Sequence, residues 1–265
     1  MDEGSIAPLP VYATPGTLIS RLKAFGIHLA TSASIAAALV MAVIFVWYPS
    51  PLFELAKGRD IFLLLLGCDI ILGPVMTLII FNVRKPRAQL IRDVSIIGCV
   101  QLGALGYGVS TLLEVRPAYI AYNVGQFNVP LVSEMVTGEA EVPGYPVNPW
   151  WGPKLVGTAL PKDREENNRL TFSAVTGRGD VFQMPKYFVP YESVKPEVRA
   201  RARSAEQFAR ELQRNRADVE ALAAKYASKG IPVGLLPLRV RTTVAAAVVN
   251  RDTGDFLGIE PLPLF

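Results

Sequence analysis

Histidine occurs once in these 265 residues, cysteine twice, and charged residues make up only 19%. With His28 as the lone imidazole, and that at the edge of an apolar run, no Ser-His-Asp or Cys-His arrangement can be built elsewhere. HExxH, P-loop and GxGxxG patterns are absent, which removes zincin, nucleotide and dinucleotide chemistry as motif-based readings. Both cysteines, Cys68 and Cys99, fall in apolar runs, so the remainder of the chain folds without disulfides, and the thiols make neither a zinc ligand set nor a redox motif. No cofactor is expected. The net charge of +4 is spread along the chain, and the lack of a strong basic patch argues against nucleic acid as a partner.

What the chain has in excess is apolar residues, at 51%. That rules out disorder as a class. Soluble domains carry about 25% charged residues, and the deficit here is local. After residue 113 there are 19 Lys+Arg and 17 Asp+Glu, against 8 and 6 before it. Three stretches in the first part are long enough to cross a bilayer, which needs about 20 helical residues. They run from 27 to 47, from 61 to 81 with the single charge Asp69, and from 94 to 113. None shows the polar stripe of a soluble core helix. The first is too long for a signal h-region and ends in Val46-Trp47-Tyr48-Pro49, which lacks cleavable small residues, so it is read as retained.

Basic residues favour the cytoplasmic side. Arg21 and Lys23 precede the first span, and Arg84, Lys85, Arg87 and Arg92 lie between the second and third. The N-terminus is therefore expected in the cytoplasm and everything after the third span outside it. Trp47, Tyr48 and Phe62 are expected at the outer interface. The resulting fold class is an integral membrane α-helical region of three transmembrane helices followed by an external α+β domain. Residues 1–20 are an N-terminal extension expected to be disordered, 21–113 the membrane region and 114–265 the external domain.

Two features of the spans invite a functional reading. Asp69 lies about 12 Å into its helix at 1.5 Å per residue, and an intramembrane carboxylate is costly enough to suggest function. Gly73-Pro74 follows one turn later, and Pro74 cannot donate to the Ile70 carbonyl, so a kink is expected. Asp69, Gly73 and Pro74 are candidates for partner contact or for tying the bundle together. By depth, Gln101 and Tyr107 are the expected internal partners of Asp69, and His28 is too far away. An intramembrane aspartyl protease needs a second carboxylate, and the spans hold none. The second feature is small residues at four-residue spacing, which permit close helix approach. Ala30, Ser34, Ala38 and Ala42 line the first span, and Cys99/Gly103 and Gly106/Ser110 the third. The two faces either pack on each other or receive a partner's helix.

The external part reads as strands at 118–124, 126–132, 154–160 and 170–175, with 164–168 as a loop or helical turn. An irregular Pro/Trp-rich segment spans 137–153, and Pro185–Glu192 is aromatic and extended. A helical region runs from 196 to about 229, with a break possible at 215–218, and a closing hairpin pairs 238–249 with 256–259 through Asp252-Thr253-Gly254. The arginines between 199 and 216 form a solvated face or a site for lipid headgroups.

The order of these features resembles the TfpX/TfpZ family of type IV pilin accessory proteins. The resemblance is carried by Arg21-Leu-Lys-Ala-Phe-Gly-Ile-His28, Trp47-Tyr-Pro-Ser-Pro-Leu-Phe53, Gly67-Cys-Asp69-Ile-Ile-Leu-Gly73-Pro74, Phe81-Asn82 with Lys85-Pro86, Pro185-Lys-Tyr-Phe-Val-Pro-Tyr-Glu192 and Asp252-Thr-Gly254. It covers residues 19–265, and residues 1–18 are an extension or a misassigned start. The resemblance implies a non-enzymatic protein of the Gram-negative inner membrane, with its C-terminal domain in the periplasm. It further implies that the partners are a cognate major type IV pilin, the lipid bilayer and other pilus assembly proteins. A periplasmic sensor, an envelope scaffold or a transporter subunit is the alternative.

Overall fold

The computed structural model describes residues 15–82, 84–138, 142–228 and 230–262. Residues 1–14 of the expected N-terminal extension lie outside the described residues, and its remainder is helical rather than disordered, since α1 starts at Pro15. Proline suits a helix start because its fixed φ is pre-set and its missing N–H would have no partner there. The chain divides into two compact units, Met1–Met41 with Asp60–Ser110 and Ala42–Arg59 with Thr111–Phe265.

The first unit is built from helices. α1 (Pro15–Ala42) continues as a π turn, Val43–Trp47, which belongs to the second unit. α2 (Leu52–Leu55) is a single turn, also in the second unit. α3 (Gly58–Gly67), a π turn (Cys68–Leu72) and α4 (Gly73–Ile80) follow one another directly, and α5 runs from Arg87 to Glu114. Among the described residues, two helices are long and apolar enough to cross a membrane, Leu18–Trp47 and Arg87–Glu114. The second expected span differs from these: its apolar helix, Leu65–Ile80, is shorter. Pro74, which has no N–H to donate, follows directly on the wider π turn.

The second unit is organised on a seven-stranded mixed sheet in the order β4-β3-β1-β2-β5-β6-β7. The strands are β1 (Tyr119–Asn123), β2 (Gln126–Asn128), β3 (Lys154–Thr158), β4 (Phe188–Pro190), β5 (Val233–Val240), β6 (Thr243–Asn250) and β7 (Phe256–Glu260). β6, with the run Val244–Val249, is buried on both faces, which is why it is continuously apolar rather than alternating. Ala246 and Val248 join Leu235, Phe208 and Val219 in one core, and Ala118, Tyr119, Ala121, Val156 and Phe188 form another. This is an α+β sheet domain.

Local details depart from the sequence expectations in four places. Residues 164–175 are one helix, α6 (Arg164–Val175), and not a loop plus a strand. The Asp163 side chain caps it by accepting from the Glu166 N–H at 2.8 Å, and Glu165 and Glu166 suit the positive helix start. The alternation that suggested a strand buries only Leu170. The region expected as one or two helices is three: α7 (Lys195–Arg201), α8 (Ala205–Glu211) and α9 (Arg216–Ala227). The expected break at 215 is present, capped by Asn215. A second break falls where Arg203 exchanges backbone hydrogen bonds with Leu235 of β5 and Ser204 opens α8 with a Ser-x-x-Gln capping box. Residues 238–249 are two strands, since β5 and β6 turn back through Arg241-Thr242, with Arg241 at φ 52°. Finally, Pro185–Glu192 holds only the short β4 between 3-10 turns. The arginine face carries ion pairs within the unit, such as Arg210–Glu206 and Arg216–Glu220, in keeping with a solvated surface.

β1 and β2 pair Asn123 with Gln126, so Val124-Gly125 is a two-residue turn with positive φ at both positions, 42° and 82°. Such turns favour Asn-Gly, and a β-branched residue in the left-handed region costs about 1–2 kcal/mol. Val124 is exposed and buries little in return. Val124→Asn is expected to stabilise the sheet domain by about 1 kcal/mol, raising its thermal midpoint by about 2–4 °C. An unchanged or lower midpoint in a thermal scan of the detergent-solubilised chain contradicts this account.

Both long helices end in carbonyls without intrahelical donors, and the second unit supplies donors for them. Tyr48 donates its hydroxyl to the Leu112 carbonyl at 2.8 Å, and the Gly152 N–H donates to the Val46 carbonyl at 3.0 Å. Arg116, only 2% exposed, donates to the Leu113 carbonyl, to Asn148 Oδ1 and to the Pro149 carbonyl. Burial pushes the Tyr48 phenol up and the Arg116 guanidinium down from their ordinary ranges. Trp47 and Tyr48 are buried in this unit, and Phe62 is buried in the other.

Candidate functional site

The Asp69 region is assembled from the backbone outward. In the π turn each carbonyl accepts from five residues on, so the Asp69 carbonyl is directed at residue 74. Residue 74 is proline and has nothing to donate. Gln101 of α5 fills the gap, with Nε2 donating to the Asp69 carbonyl at 3.3 Å. This approach depends on Gly73, because a Cβ there would fall on the Gln101 side-chain amide. Gly73, Pro74 and Gln101 therefore act together: proline frees a carbonyl, glycine opens the space, and glutamine satisfies the carbonyl across the helix pair.

Asp69 itself is enclosed. The residue is 9% exposed and borders two cavities. One is a groove of about 510 Å³ between α4 and α5, lined by apolar residues such as Met76, Ile96 and Val100, with Asp93 also on its wall. The other, of about 150 Å³, is shared with His28, Thr31, Ser32 and Gln101. The sequence places His28 too far from Asp69, yet both line this small cavity, because α1 packs on α4 through a contact of 2.5 Å between His28 Nδ1 and Thr77 Oγ1. Tyr107, the other expected partner, lies on the outer surface of α5 at 77% exposure. Thr77 went unremarked in the sequence, although a threonine two turns from Asp69 in an apolar helix was its signal.

The small-residue rows do not pack on each other. Ala30, Ser34 and Ala38 are exposed on α1, and Ala42 is half-buried; Cys99, Gly103, Gly106 and Ser110 are exposed on α5. A Cβ on Gly103 or Gly106 would meet nothing within 4 Å. The Ser34 hydroxyl turns back to the Ala30 carbonyl at 2.8 Å and that of Ser110 to the Tyr107 carbonyl at 2.8 Å. The residues that do pack α1 inward lie between the row positions, at Ser32 and Ala36. Among the described residues no three His, Cys, Asp or Glu side chains converge as a metal site.

Comparison with known proteins bears on this arrangement. The family model of the fimbrial assembly protein FimB matches residues 17–57, which take in α1 with its small-residue row, the π turn and α2. The chain is 30% identical to the serogroup I fimbrial assembly protein of Dichelobacter nodosus over 183 residues, 68% of this chain and 71% of that protein. It is 28% identical to the serogroup E1 protein of the same organism over 206 residues, 77% of this chain and 80% of that one. With the protein of serogroups C1 and C2 it shares 33% identity over 107 residues, 40% of this chain and 82% of that one. No solved structure matches. The likeness thus extends well beyond the first helix and over most of each relative's length, and the chain belongs to the family of fimbrial assembly proteins.

Proposed function

We propose that this protein is a non-enzymatic inner-membrane accessory factor for type IV pilus biogenesis that supports the stability or assembly of a cognate major pilin. Its kinship with fimbrial assembly proteins over two thirds of the chain is the observation that carries this reading. In it, α1, the α3–α4 segment and α5 cross the membrane with the N-terminus in the cytoplasm, and the sheet domain stands in the periplasm. The basic loop Arg84–Arg92 against the balanced loop Glu54–Asp60 supports that orientation. The exposed rows on α1 and α5 allow close backbone approach by a helix from outside the chain, and a pilin before assembly offers one transmembrane helix and an external head. The Asp69 cavity is a candidate contact for that helix.

Deleting the gene in a retraction-deficient background is expected to lower surface pili severely, by on the order of tenfold, with pilin levels falling if the effect is on stability. Unchanged piliation overturns the proposal. Photocrosslinking from Ala38 or Gly103 in membranes is expected to capture the major pilin. Capture of other envelope proteins alone would favour a scaffold role instead.

A further inference from the structure

All three tryptophans of the chain, Trp47, Trp150 and Trp151, meet in one place. Trp47 is the last residue of the apolar helix Leu18–Trp47. Its ring is buried and meets Trp150 edge to face at 6.3 Å and 84°. Trp150 and Trp151 themselves are 59% and 69% exposed. They lie in the proline-rich loop after residue 142, where nothing in strand or helix chemistry requires an exposed indole.

That loop is fastened to the ends of both long apolar helices. The Gly152 N–H binds the Val46 carbonyl at the end of the first, and a Cβ on Gly152 would come within 2.8 Å of that same oxygen, so the junction is built around glycine. At the end of the second, Arg116 holds Asn148 and Pro149. The loop is anchored to the sheet side as well, since the Tyr119 hydroxyl donates to the Pro146 carbonyl at 2.7 Å. Residues 146–152 are therefore held, on both flanks, at the level where two apolar helices stop.

We infer that the exposed indoles of Trp150 and Trp151 enter the head-group layer of the phospholipid bilayer and set the sheet domain against the membrane surface. Three facts select this occupant. Indole is favoured at the boundary between acyl chains and head groups, where its apolar body and N–H both find company. The loop's attachment to the two helix ends puts the rings at that boundary once the helices span. A rigid loop presents them without the ordering cost a free segment would carry. The inference rests on the membrane reading of the two helices and adds a lipid-contacting site in a segment where no membrane signal is apparent by hydropathy.

The placement of the tryptophans makes it directly measurable. The full chain is reconstituted in vesicles of phosphatidylethanolamine and phosphatidylglycerol, and the conservative variant Trp47→Phe leaves emission from Trp150 and Trp151 alone. Lipid brominated near the head group is expected to quench this emission about twofold, aqueous acrylamide much less, and lipid brominated near the chain end less again. Full acrylamide quenching with no effect of either brominated lipid overturns the inference. The same measurement on the unmodified chain guards against a folding defect in the variant. Carbonate extraction separates the two levels: protein that stays in the membrane while its indoles face water refutes the tryptophan site alone, and release by carbonate refutes the membrane reading beneath it.

Discussion

Arg116→Ala is expected to unfold the second unit or bring it close to unfolding. The guanidinium is 2% exposed and satisfies the Leu113 carbonyl, Asn148 Oδ1 and the Pro149 carbonyl at once. Truncation leaves the buried Pro149 carbonyl without its donor, at about 1–3 kcal/mol, and takes a donor from the part-buried Leu113 carbonyl and Asn148 Oδ1 as well. It also removes a positive charge from the C-terminal end of α5, where the helix dipole favours one. A loss of about 3 kcal/mol against the 5–15 kcal/mol of an ordinary domain is a large fraction of the whole. The expected readings are a thermal midpoint lower by on the order of 10 °C and rapid chymotrypsin cleavage after Trp150 or Trp151. Arg116→Lys is expected to rescue only part, because an ammonium cannot reproduce the planar fork that serves several acceptors. Arg241→Ala is the control: its pairing with Glu134 is exposed, 3.7 Å long and worth about 1 kcal/mol at most. Equal stability of the Arg116→Ala and Arg241→Ala variants would falsify this account of the junction.

The junction also shows where sequence reasoning reaches and where it stops. Composition separated an apolar part from a charged part because hydropathy is additive along the chain and needs no knowledge of contacts. The closing turn at Asp252-Thr253-Gly254 was legible for a similar reason, since turn chemistry is local. Arg116 carries no such local signal. Its role depends on Asn148 and Pro149, more than thirty residues away, and no local pattern announces such a partner. The aromatic belt was assigned to Trp47 and Tyr48 by position along the chain. The fold buries those two and packs the exposed Trp150 against Trp47. Residues 170–175 failed differently: alternation is a strand signal only if one face is buried, and here a capped, acidic helix start outweighed it. The small-residue rows were visible as spacing, but the outward turn of both rows depends on how the helices rotate about their axes, which spacing does not fix.

The Gly73-Pro74 pair was expected to kink the helix and is found directly after a π turn, and its mechanism yields the second large effect. Gly73→Val is expected to drive α5 away from α4. A branched side chain would occupy the space of the Gln101 amide, combining overpacking of about 1–3 kcal/mol with loss of an interhelical hydrogen bond worth about 1–2 kcal/mol. The variant is expected to show a lower midpoint for helix loss in mixed micelles and a severe piliation defect. A finer test distinguishes this mechanism from simple crowding. Gln101→Leu removes the donor and leaves the Asp69 carbonyl unpaired in an apolar setting, so it too destabilises. Pro74→Ala restores an N–H at the position the Asp69 carbonyl points to, and the need for Gln101 then falls away. In the Pro74→Ala background, Gln101→Leu is expected to cost at least about 1 kcal/mol less than in the native chain, a coupling that a double-mutant cycle reads directly. Strict additivity of the two substitutions would mean that Gln101 packs against α4 without replacing the missing donor. The Asp69 carboxyl is tested separately, since the Gln101 hydrogen bond engages only the backbone carbonyl of that residue. On the proposed contact role, Asp69→Asn is expected to impair piliation at normal protein abundance.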